Sequence, residues 1–463
     1  MNRTINIEAI KYLDKQIKVC GWAQAIRSHG KIIFIDLRDM SGILQLVCSS
    51  DMAKEIRPEW VIEAIGEINN RPAKMVNPKI ATGKVELAVK ELKVLSKAKT
   101  LPFSIEGDGY EINEEKRLKY RYLDLRRERL KKNLKARNEI IRFIREYLRK
   151  ENFIEIQTPL LSKSTPEGAR DYLIPSRLHP GKFFALPQSP QQYKQLLMLA
   201  GFEKYFQIAP CFRDEAARAD RSPGEFYQLD IEMSFVEQDD ILNLTENLFT
   251  ALVKTLFPEK RIKKIPFPRL SYQSAMDKYN SDKPDLRNDK NNPDELAFCW
   301  LIDFPLFQKQ SKEDFFYGAG KKLAPSHHMF TAPKKEDIKM LDKEPLKAKS
   351  YQHDLVLNGV EIGGGSIRIH DLKIQEKIFD LIGFSKKQKE QFSHFLAAFQ
   401  YGVPPHGGIA PGLDRFIRIL LGENNIRETI AFPLSGDARD LMMDAPSEVS
   451  EEQLKELKIK IKV

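Results

Sequence analysis

Apolar and polar positions alternate along the first hundred residues of the chain. Five short runs have this pattern, and turns rich in Gly, Pro, Asn and Asp separate them: KVCGWAQAI, KIIFIDLRD, GILQLVCS, WVIEAIGEI and KVELAVKELKVLS. A period of two is typical of strands with one buried face. Five such strands favour a small closed barrel, and a sandwich of two sheets remains the alternative.

The alternation ends near residue 102, where Pro, Gly and a dense run of charges begin in KAKTLPFSIEGDGYEINEEKRLKYRYLDLRRERL. Such a composition indicates a linker that leads into a helix. Beyond it, apolar residues at helical spacing predict one long helix with a buried face, formed by Leu134, Ile141, Ile144 and Leu148. We therefore divide the chain into a domain at 1–102, a hinge at 103–131 and a second domain at 132–463.

The second domain has strand patterns in succession instead of strict alternation with helices. They are FIEIQTPLL, KYFQIAPCF, FYQLDIEMSF, LVLNGVEIGGGSIRI and HGGIAPGL, with helical stretches near 191–200, 386–401 and 413–421. This order favours an α+β fold with a mostly antiparallel sheet flanked by helices. Neither GxGxxG nor GxxxxGK[ST] occurs, which excludes the two common nucleotide-binding loops.

Composition narrows the class of protein. With 42% hydrophobic and 30% charged residues the chain is typical of globular proteins, and no apolar run approaches the length of a membrane span. We expect a cytoplasmic protein without a membrane partner. Four scattered cysteines form no CxxC pair, so the sequence predicts neither a zinc cluster nor a disulfide framework. A net charge of +10 favours a polyanionic partner but does not establish one.

One segment combines opposite charges around a turn. CFRDEAARADRSPGEFYQLDIE holds six carboxylates and three arginines between two strand patterns, and it predicts a hairpin. Arg213 could bind a phosphate through its planar fork of donors, which suits phosphate better than an ammonium group does. The alternative is a surface loop held by its own ion pairs.

Three motifs together resemble those of the class II aminoacyl-tRNA synthetases: FIEIQTPLL after the long helix, FRDE, and GGIAPGLDRFIRILLG around Arg415. Intervening segments are similar to the bacterial type of aspartyl-tRNA synthetase, namely STPEGARDYL, HPGKFFALPQSPQQYKQLLM, SHHMFTAP and LVLNGVEIGGGSIRIHD. The resemblance extends from about residue 3 to the C-terminus. It implies a five-stranded OB-fold barrel that binds the anticodon and a class II catalytic domain.

The resemblance also implies substrates and partners. Aspartate, ATP and tRNA would be the substrates, Mg²⁺ would accompany ATP, and the first motif would form the interface of a homodimer. The residues implied for catalysis are Arg213, Glu361 and Arg415. Those implied for ATP are Arg213, Asp214, Glu215, Ser222, Phe226, Glu361, Gly412, Leu413, Asp414 and Arg415. Those implied for aspartate are Glu167, Gln191, Lys194, Arg213, Asp230, His327, His328 and Arg368.

Two smaller sets complete what the resemblance implies. Asp354 and Glu361 would hold the metal, because Mg²⁺ prefers oxygen ligands. The anticodon would meet residues of the barrel that supply a ring, an amide, a cation and an imidazole: Arg27, His29, Phe34 and Gln45. Taken alone, Phe34 fits the barrel core better than a surface for base stacking.

The sequence departs from the family at three places. Bacterial members carry an extra domain after SDKPDLR, and here it is missing near 288–294. Pro411 replaces a large apolar residue in the third motif. Ala25 and Ile26 stand where arginines are common, and His29 can donate or accept a hydrogen bond. We therefore expect relaxed anticodon recognition that extends from aspartate tRNA to asparagine tRNA.

Two other functions are consistent with parts of the sequence. One is a synthetase-like ligase that makes asparagine from aspartate, ATP and ammonia, although such an enzyme has no use for the N-terminal barrel. The other is a non-catalytic tRNA-binding paralogue, which would have no reason to keep Arg213, Glu361, Arg368 and Arg415 together.

Overall fold

The computed structural model describes residues 1–165, 169–215, 224–310 and 323–461. It contains two compact units, Met1–Ser104 and Ile105–Val463. Each unit has its own apolar core, and each is described separately below.

The first unit is a closed barrel of five strands in the order β1-β2-β3-β5-β4. Its elements are β1 (Gln16–His29), β2 (Ile32–Arg38), β3 (Ile43–Ser49), the short helix α1 (Ser50–Ala53), β4 (Val61–Asn70) and β5 (Val85–Ser96). The inward positions of the predicted alternation form the core, as Val19, Ile35, Leu46, Ile62 and Leu87 show with no exposed surface. The predicted barrel is therefore confirmed, and the sandwich is excluded.

The second unit contains fourteen strands within its described residues. They are β6 (Ile154–Glu155), β7 (Leu173–Pro175), β8 (Phe183–Ala185), β9 (Lys204–Arg213), β10 (Gly224–Ser234), β11 (Arg261–Ile262), β12 (Arg269–Ser271), β13 (Glu295–Leu296), β14 (Phe298–Ile302), β15 (Phe307–Lys309), β16 (Leu323–Pro325), β17 (Gln352–Leu357), β18 (Val360–Ile367) and β19 (His406–Pro411).

Helices surround these strands. They are α2 (Glu114–Lys119), α3 (Arg121–Asp124), α4 (Glu128–Lys150), α5 (Gln191–Leu199), α6 (Gln238–Leu256), α7 (Tyr272–Tyr279), α8 (Met340–Lys343), α9 (Leu372–Ile382), α10 (Lys386–Gln391), α11 (Ser393–Ala398), α12 (Leu413–Leu421) and α13 (Glu451–Leu457). The helix expected over 386–401 is divided, because Phe392 lies between α10 and α11 and a 3₁₀ turn follows from Phe399. No described helix is both long and apolar enough to cross a membrane.

Eight strands form the central sheet, in the order β12-β14-β17-β18-β19-β10-β9-β6. The five central pairs, from β14 to β9, are antiparallel, whereas β12 with β14 and β6 with β9 are parallel. The sheet is therefore mixed at its two edges and antiparallel between them. The hairpin predicted around FRDE is the pair β9 and β10, with Arg213 opposite Gly224.

Helix α4 covers this sheet with a buried stripe that differs from the predicted one. Leu130, Ile140, Ile144 and Leu148 are buried, whereas Leu134 and Ile141 are only partly buried. Ile140, Ile144 and Leu148 of this stripe pack with residues of α6, α12 and the strands into one core. The helical period was right, but the choice between neighbouring apolar residues depends on the contacts with the sheet.

The strand predicted as buried in FIEIQTPLL is short and exposed. Only Ile154 and Glu155 pair with β9, and Ile154 keeps 48% of its surface exposed. Because β6 is the last strand of the sheet, its outer edge has no partner within the described chain.

The segment predicted as a hinge at 103–131 belongs to the second unit from Ile105 onward. The buried carboxylate of Asp124 accepts hydrogen bonds from Arg117, Arg121 and Arg127. Arg117 also forms a bidentate ion pair with Glu428, at 3.0 and 2.8 Å. These contacts hold the segment against residues near the C-terminal end of the second unit, so from Ile105 onward it packs as part of that unit.

Candidate active site

A cavity of about 510 Å³ lies among the central strands, α5 and α12. The antiparallel strands place charged side chains along it, and the third motif closes one side. Of the residues implied for catalysis and substrates, those that line it are Gln191, Lys194, Arg213, Glu215, Phe226, Asp230, His327, His328, Asp354, Glu361, Arg368, Gly412, Asp414 and Arg415.

Two cations and two carboxylates form a buried network at one part of the cavity. Lys194 Nζ donates to Asp230 Oδ1 at 2.7 Å and lies 3.3 Å from Glu232 Oε2. Arg368 donates to Glu232 from Nε and Nη2, at 2.9 and 3.1 Å. Because all four side chains are almost fully buried, their charges interact through a medium of low dielectric constant.

The two carboxyl groups of this network differ in their pKa values. Burial alone would raise the pKa of Glu232, but the charges of Arg368 and Lys194 lower it to about 2. Burial raises the pKa of Asp230 in spite of Lys194. Glu232 is therefore the firmly charged counterion that fixes both cations, and Asp230 is held less firmly in its charged form.

Two neutral histidines lie beside these cations. His328 Nε2 is 2.8 Å from Arg368 Nη1, so the ring accepts a hydrogen bond from the guanidinium. Burial, together with the charge of Arg368, lowers the pKa of His327 to about 3. Both rings are therefore uncharged at neutral pH and add hydrogen-bonding capacity without adding positive charge.

The arginines of the second and third motifs lie elsewhere along the cavity. The guanidinium of Arg213 lies over the ring of Phe226, 5.0 Å from its centroid. Its buried Nε has no hydrogen-bond partner among the described residues. Arg415 Nη1 donates to the backbone oxygen of Glu361 at 2.9 Å, which fixes one end of that side chain.

Asp354 on β17 and Glu361 on β18 meet near this second group of cations. Burial, and then the negative charge of Glu361, raise the pKa of Asp354 well above its usual range. A Cβ at Gly364 would lie 3.2 Å from Asp354 Oδ1 and 3.8 Å from Glu361 Oε1, so the glycine leaves space beside both carboxylates. Two facing carboxylates with space between them fit a divalent cation.

Protein ligands alone do not complete a metal site there. Within the described residues, no group of three or more His, Cys, Asp or Glu side chains is placed to hold a metal ion. A cation at Asp354 and Glu361 would therefore need further oxygen ligands from outside the protein, such as phosphate or water.

Several residues implied for ATP lie differently from the expectation. Asp414 accepts hydrogen bonds from the backbone N–H of Tyr227 and from Arg137, which gives it a structural task at the cavity wall. Leu413 is fully buried in the core, and Asp214 is exposed outside the cavity lining. The motif marks a stretch of chain near the cavity without distinguishing the side chains that line it. Glu167 and Ser222 lie outside the described residues.

Pro411 ends β19 instead of opening α12. It pairs with Gly363, whose absent side chain is necessary because a Cβ there would lie 2.8 Å from Pro411 Cα. Ala410 and Gly412 line the cavity beside it. The unusual residue therefore belongs to the packing between β18 and β19, and the described cavity wall does not include it.

The barrel brings the four anticodon candidates to one region. Arg27 forms a bidentate ion pair with Asp36, at 2.7 Å for both bonds, and also donates to Gln45 Oε1 at 3.3 Å. Phe34 is only partly buried on β2, and the ring of His29 meets it edge-on at 5.7 Å. The structure thus contradicts the expectation that Phe34 fills the core, because Ile33 and Ile35 point inward on either side of it.

Sequence reasoning missed Glu232, the residue with the most charged contacts in the cavity network. A signal was present in FYQLDIEMSF, where Asp230 and Glu232 are two positions apart on a strand and so share a face. It also missed His406 and Gln195, which are buried behind the cavity and joined by a hydrogen bond of 2.9 Å. Nothing in the local sequence pairs these two residues.

Two family models match the chain. The model described as tRNA synthetases class II (D, K and N) matches residues 113–436. The model described as OB-fold nucleic acid binding domain matches residues 17–95. Together they cover the catalytic unit with its cavity and nearly the whole barrel.

Curated relatives are similar over almost the full chain. An aspartate–tRNA(Asp/Asn) ligase of Thermoanaerobacter sp. (strain X514) is 42% identical, over 98% of this chain and 97% of that protein. An aspartate–tRNA ligase of Staphylococcus saprophyticus is 40% identical over 97% of each chain. The first alignment spans 584 positions, of which about 454 can hold residues of this chain, so about 130 are gaps in it.

Solved structures share the fold. A putative aspartyl-tRNA synthetase from Leishmania major superimposes with a TM-score of 0.74 at 20% identity, over 93% of each chain. An asparaginyl-tRNA synthetase from Pyrococcus horikoshii, complexed with asparaginyl-adenylate, superimposes with a TM-score of 0.72 at 23% identity, over 91% of this chain and 95% of that one.

Proposed function

From the premise that the chain belongs to the class II aminoacyl-tRNA synthetases, as an aspartate–tRNA ligase, we propose which of its residues bind each substrate. Such a ligase joins aspartate to AMP at the expense of ATP and then passes the aspartyl group to tRNA. The observation that carries the assignment is the buried network in which Glu232 fixes Lys194 and Arg368. Fixed cations without direct access to water are suited to a substrate carboxylate.

In this proposal, Lys194 and Arg368 bind the side-chain carboxylate of aspartate. Asparagine lacks that negative charge, so it would form weaker hydrogen bonds with Lys194 and Arg368 than the charged carboxylate of aspartate does. Asp230, Gln191 and the two neutral histidines complete the site, and Glu167 receives the ammonium group. Uncharged His327 and His328 suit this arrangement, because they can contact the substrate without drawing its carboxylate away from Arg368.

The first chemical step needs no base from the protein. The α-carboxylate of aspartate is already charged and attacks the α-phosphorus of ATP in line, while the bond to the bridging oxygen of pyrophosphate breaks. Arg213 and Arg415 neutralise charge on the phosphates as that bond lengthens. The unpartnered Nε of Arg213 and its position over Phe226 support a site where a phosphate and an aromatic base meet.

The second step consumes the aspartyl-adenylate. A hydroxyl of the terminal ribose of tRNA attacks its carbonyl carbon, and the new ester bond forms. AMP leaves with the electron pair, and the hydroxyl proton passes to an oxygen of its phosphate. The same two arginines stabilise AMP as the leaving group. Catalysis in both steps is therefore positioning together with fixed charge.

Asp354 and Glu361 would hold Mg²⁺ that arrives with ATP. When bound, the cation supplies positive charge against the phosphate oxygens. The raised pKa of Asp354 and the space beside Gly364 support this assignment. The phosphates would provide the remaining oxygen ligands.

We further propose that the chain acts as a homodimer through the first motif. The outer edge of β6 has no strand partner in the described chain, and Ile154, Leu160 and Leu161 are between 42 and 53% exposed there. Sedimentation equilibrium would give twice the monomer mass of 53.5 kDa. A monomer at micromolar concentration would contradict the proposal.

Relaxed tRNA recognition is the last part of the proposal. Its supports are His29 next to Phe34, the absence of arginines at 25 and 26, and relatives named for both tRNAs. Aspartylation of aspartate and asparagine tRNA transcripts should be measured at one stated salt concentration, since phosphate contacts alone weaken specificity at low salt. A preference above about a thousandfold exceeds what one mismatched contact supplies and would exclude relaxed recognition.

One assay tests the activity as a whole. Purified protein should exchange pyrophosphate into ATP with aspartate but not with asparagine, and should then form aspartyl-tRNA. Production of free asparagine from ammonia would indicate the amide ligase, and the absence of exchange would indicate a non-catalytic paralogue. The curated relatives support neither of these alternatives.

A further inference from the structure

Three buried polar side chains form a row that begins at the cavity and ends outside it. Gln191 lines the cavity, and Gln195 lies one turn further along α5 on the same face. His406, at the start of β19, is the third member and does not line the cavity. Gln195 and His406 have no exposed surface, so water cannot satisfy their polar atoms.

The carbonyl oxygen of Pro404, at the end of the row, determines which group donates in each of its hydrogen bonds. His406 Nδ1 lies 2.8 Å from the carbonyl oxygen of Pro404, which can only accept, so Nδ1 carries the proton. Burial lowers the pKa of His406 to about 4, and the ring is therefore neutral near pH 7. Its Nε2 must then accept a hydrogen bond.

Gln195 satisfies that acceptor, and its own orientation follows. Its Nε2 donates to His406 Nε2 at 2.9 Å, which directs its Oε1 toward Gln191. Gln191 Nε2 donates to this oxygen, also at 2.9 Å. The amide nitrogen of Gln191 is thereby held toward Gln195, and its carbonyl oxygen is the end left for a ligand in the cavity.

We propose that His406 is a positioning residue that acts through Gln195 to make Gln191 present its carbonyl oxygen to the α-ammonium group of aspartate. The proposal rests on the proposed function, in which Gln191 belongs to the aspartate site. An amide that could rotate would offer an N–H donor to the ammonium group in part of the population, and each molecule in that state would bind aspartate poorly. The row removes that state.

Two substitutions at residue 406 separate the acceptor from the rest of the imidazole. His406→Asn keeps a donor near Pro404 but places nothing at the position of Nε2. His406→Gln places an amide oxygen there, which can still accept from Gln195. Both leave the backbone carbonyl of residue 406, which accepts from Arg368 N–H at 2.9 Å.

The measurement compares the KM for aspartate with the KM for ATP in pyrophosphate exchange. We expect His406→Asn to raise the KM for aspartate about tenfold, which is the effect of one misplaced hydrogen bond to a charged group. The KM for ATP should stay within about twofold of the parent, and His406→Gln should recover most of the loss. Equal effects on both KM values, or no recovery with glutamine, would mean that His406 has only a structural role.

A double-mutant cycle with Gln191→Ala tests whether His406 acts through Gln191. The expected result is that His406→Asn has no further effect on the KM for aspartate in the Gln191→Ala background. Additive effects would overturn the inference. If Gln191→Ala alone left this KM unchanged, the assignment of Gln191 to the aspartate site would fail, a result distinct from a failure of the relay.

A second variant, Gln195→Leu, interrupts the same row and provides a test if His406→Asn does not fold. Gln195→Leu keeps a similar volume on α5 and removes both of its hydrogen bonds. We expect it to reproduce the selective rise in the KM for aspartate. A folded Gln195→Leu enzyme with the parental KM for aspartate would overturn the proposal even if His406→Asn could not be purified.

Discussion

The two ends of strand β18 carry opposite electrostatic arrangements. Arg368 follows its last residue and forms a bidentate ion pair with Glu232, which also lies beside Lys194. Glu361, near its first residue, faces Asp354, and burial, followed by the negative charge of Glu361, raises the pKa of Asp354. One end is thus balanced by the protein, because two cations face two carboxylates there. The other end is unbalanced, because its two carboxylates face Arg415, which lies 3.9 Å from Glu361.

The difference shows that the protein can neutralise some charges of a site itself and leave others for a ligand to neutralise. In the proposed function aspartate must be distinguished from asparagine, and the two cations that would bind its side chain are fixed in advance by Glu232. In the same proposal ATP brings a cation with it, which would neutralise the carboxylate charge that the 3.9 Å ion pair of Glu361 with Arg415 leaves. Each end of the strand should therefore respond differently to mutation.

The largest expected effect is at the balanced end. Arg368→Leu removes the guanidinium and leaves Glu232 buried with Lys194 alone, a change that costs about 3–5 kcal/mol when a buried pair is broken. We expect aspartate-dependent pyrophosphate exchange to fall more than about a hundredfold. The matched control is Arg261→Leu, because Arg261 is 74% exposed and pairs with Glu295 at 3.3 Å. An unchanged preference for aspartate over asparagine in Arg368→Leu would contradict the role.

The next largest effect is expected at Arg213, where alanine removes the positive charge and lysine keeps the charge but changes the hydrogen-bonding geometry. Arg213→Ala should lower exchange by about a hundredfold or more, since one fixed charge contact in a transition state contributes about 3 kcal/mol. Aspartate binding, measured by calorimetry without ATP, should fall less than the exchange rate does, because Lys194 and Arg368 would still bind the side-chain carboxylate. Arg213→Lys should recover only part of the rate, because an ammonium cannot form the planar fork. A rate within tenfold of the parent for Arg213→Ala would remove Arg213 from the mechanism.

At the unbalanced end, one substitution should change stability and activity in opposite directions. Asp354→Asn removes the repulsion with Glu361 and keeps the amide of Gln352 as a neighbour, so the melting temperature without ligands should rise. The Mg²⁺ concentration for half-maximal exchange should increase at least about tenfold, as it does when a metal site loses part of its support. A lower melting temperature together with an unchanged Mg²⁺ requirement would show that Asp354 holds no metal.

The smallest effect is a pair of opposite pH dependences. The pKa of Glu232 is lowered from 4.5 to about 2, so its contribution to stability is complete above pH 4.5 and is lost as the pH falls toward 2. The pKa of Asp354 is raised above 3.8, so the folded state loses stability as the pH rises through that value and beyond. The free energy of unfolding in urea should be measured as a function of pH. Glu232→Gln should reduce its fall below pH 4.5, and Asp354→Asn should reduce its fall above pH 3.8. A parallel shift of the whole curve in either variant would contradict the assignment.

The local pattern of hydrophobic residues was sufficient to predict the regular strands and helices. The barrel followed from alternation, because Val19, Ile35 and Ile62 occupy every second position on strands with one buried face. The hairpin of β9 and β10 followed from its turn residues. The helical face of α4 was predicted with the right period but the wrong members, since burial of Leu130 instead of Leu134 depends on the sheet beneath it.

The candidate site was predictable only where the motif itself supplies the charged group. Lys194, Arg213 and Arg368 line the cavity as expected, but Glu232 and His406 were missed. Their importance comes from partners far away in the chain, 136 positions between Glu232 and Arg368 and 211 between Gln195 and His406. Pairings of that kind depend on strand register, which no local pattern specifies.

The three consecutive glycines of β18, Gly363 to Gly365, limit which positions of this enzyme could be mutated to change its amino-acid preference. A Cβ at Gly365 would lie 2.3 Å from the carbonyl oxygen of Gly408 on β19, and one at Gly408 would lie 2.0 Å from the carbonyl oxygen of Ile231. Backbone atoms cannot move aside as side chains can, so libraries that randomise these positions would yield mostly unfolded variants. A search for new amino-acid preference would do better to vary α5, because its residues Gln191 and Lys194 line the cavity with side chains.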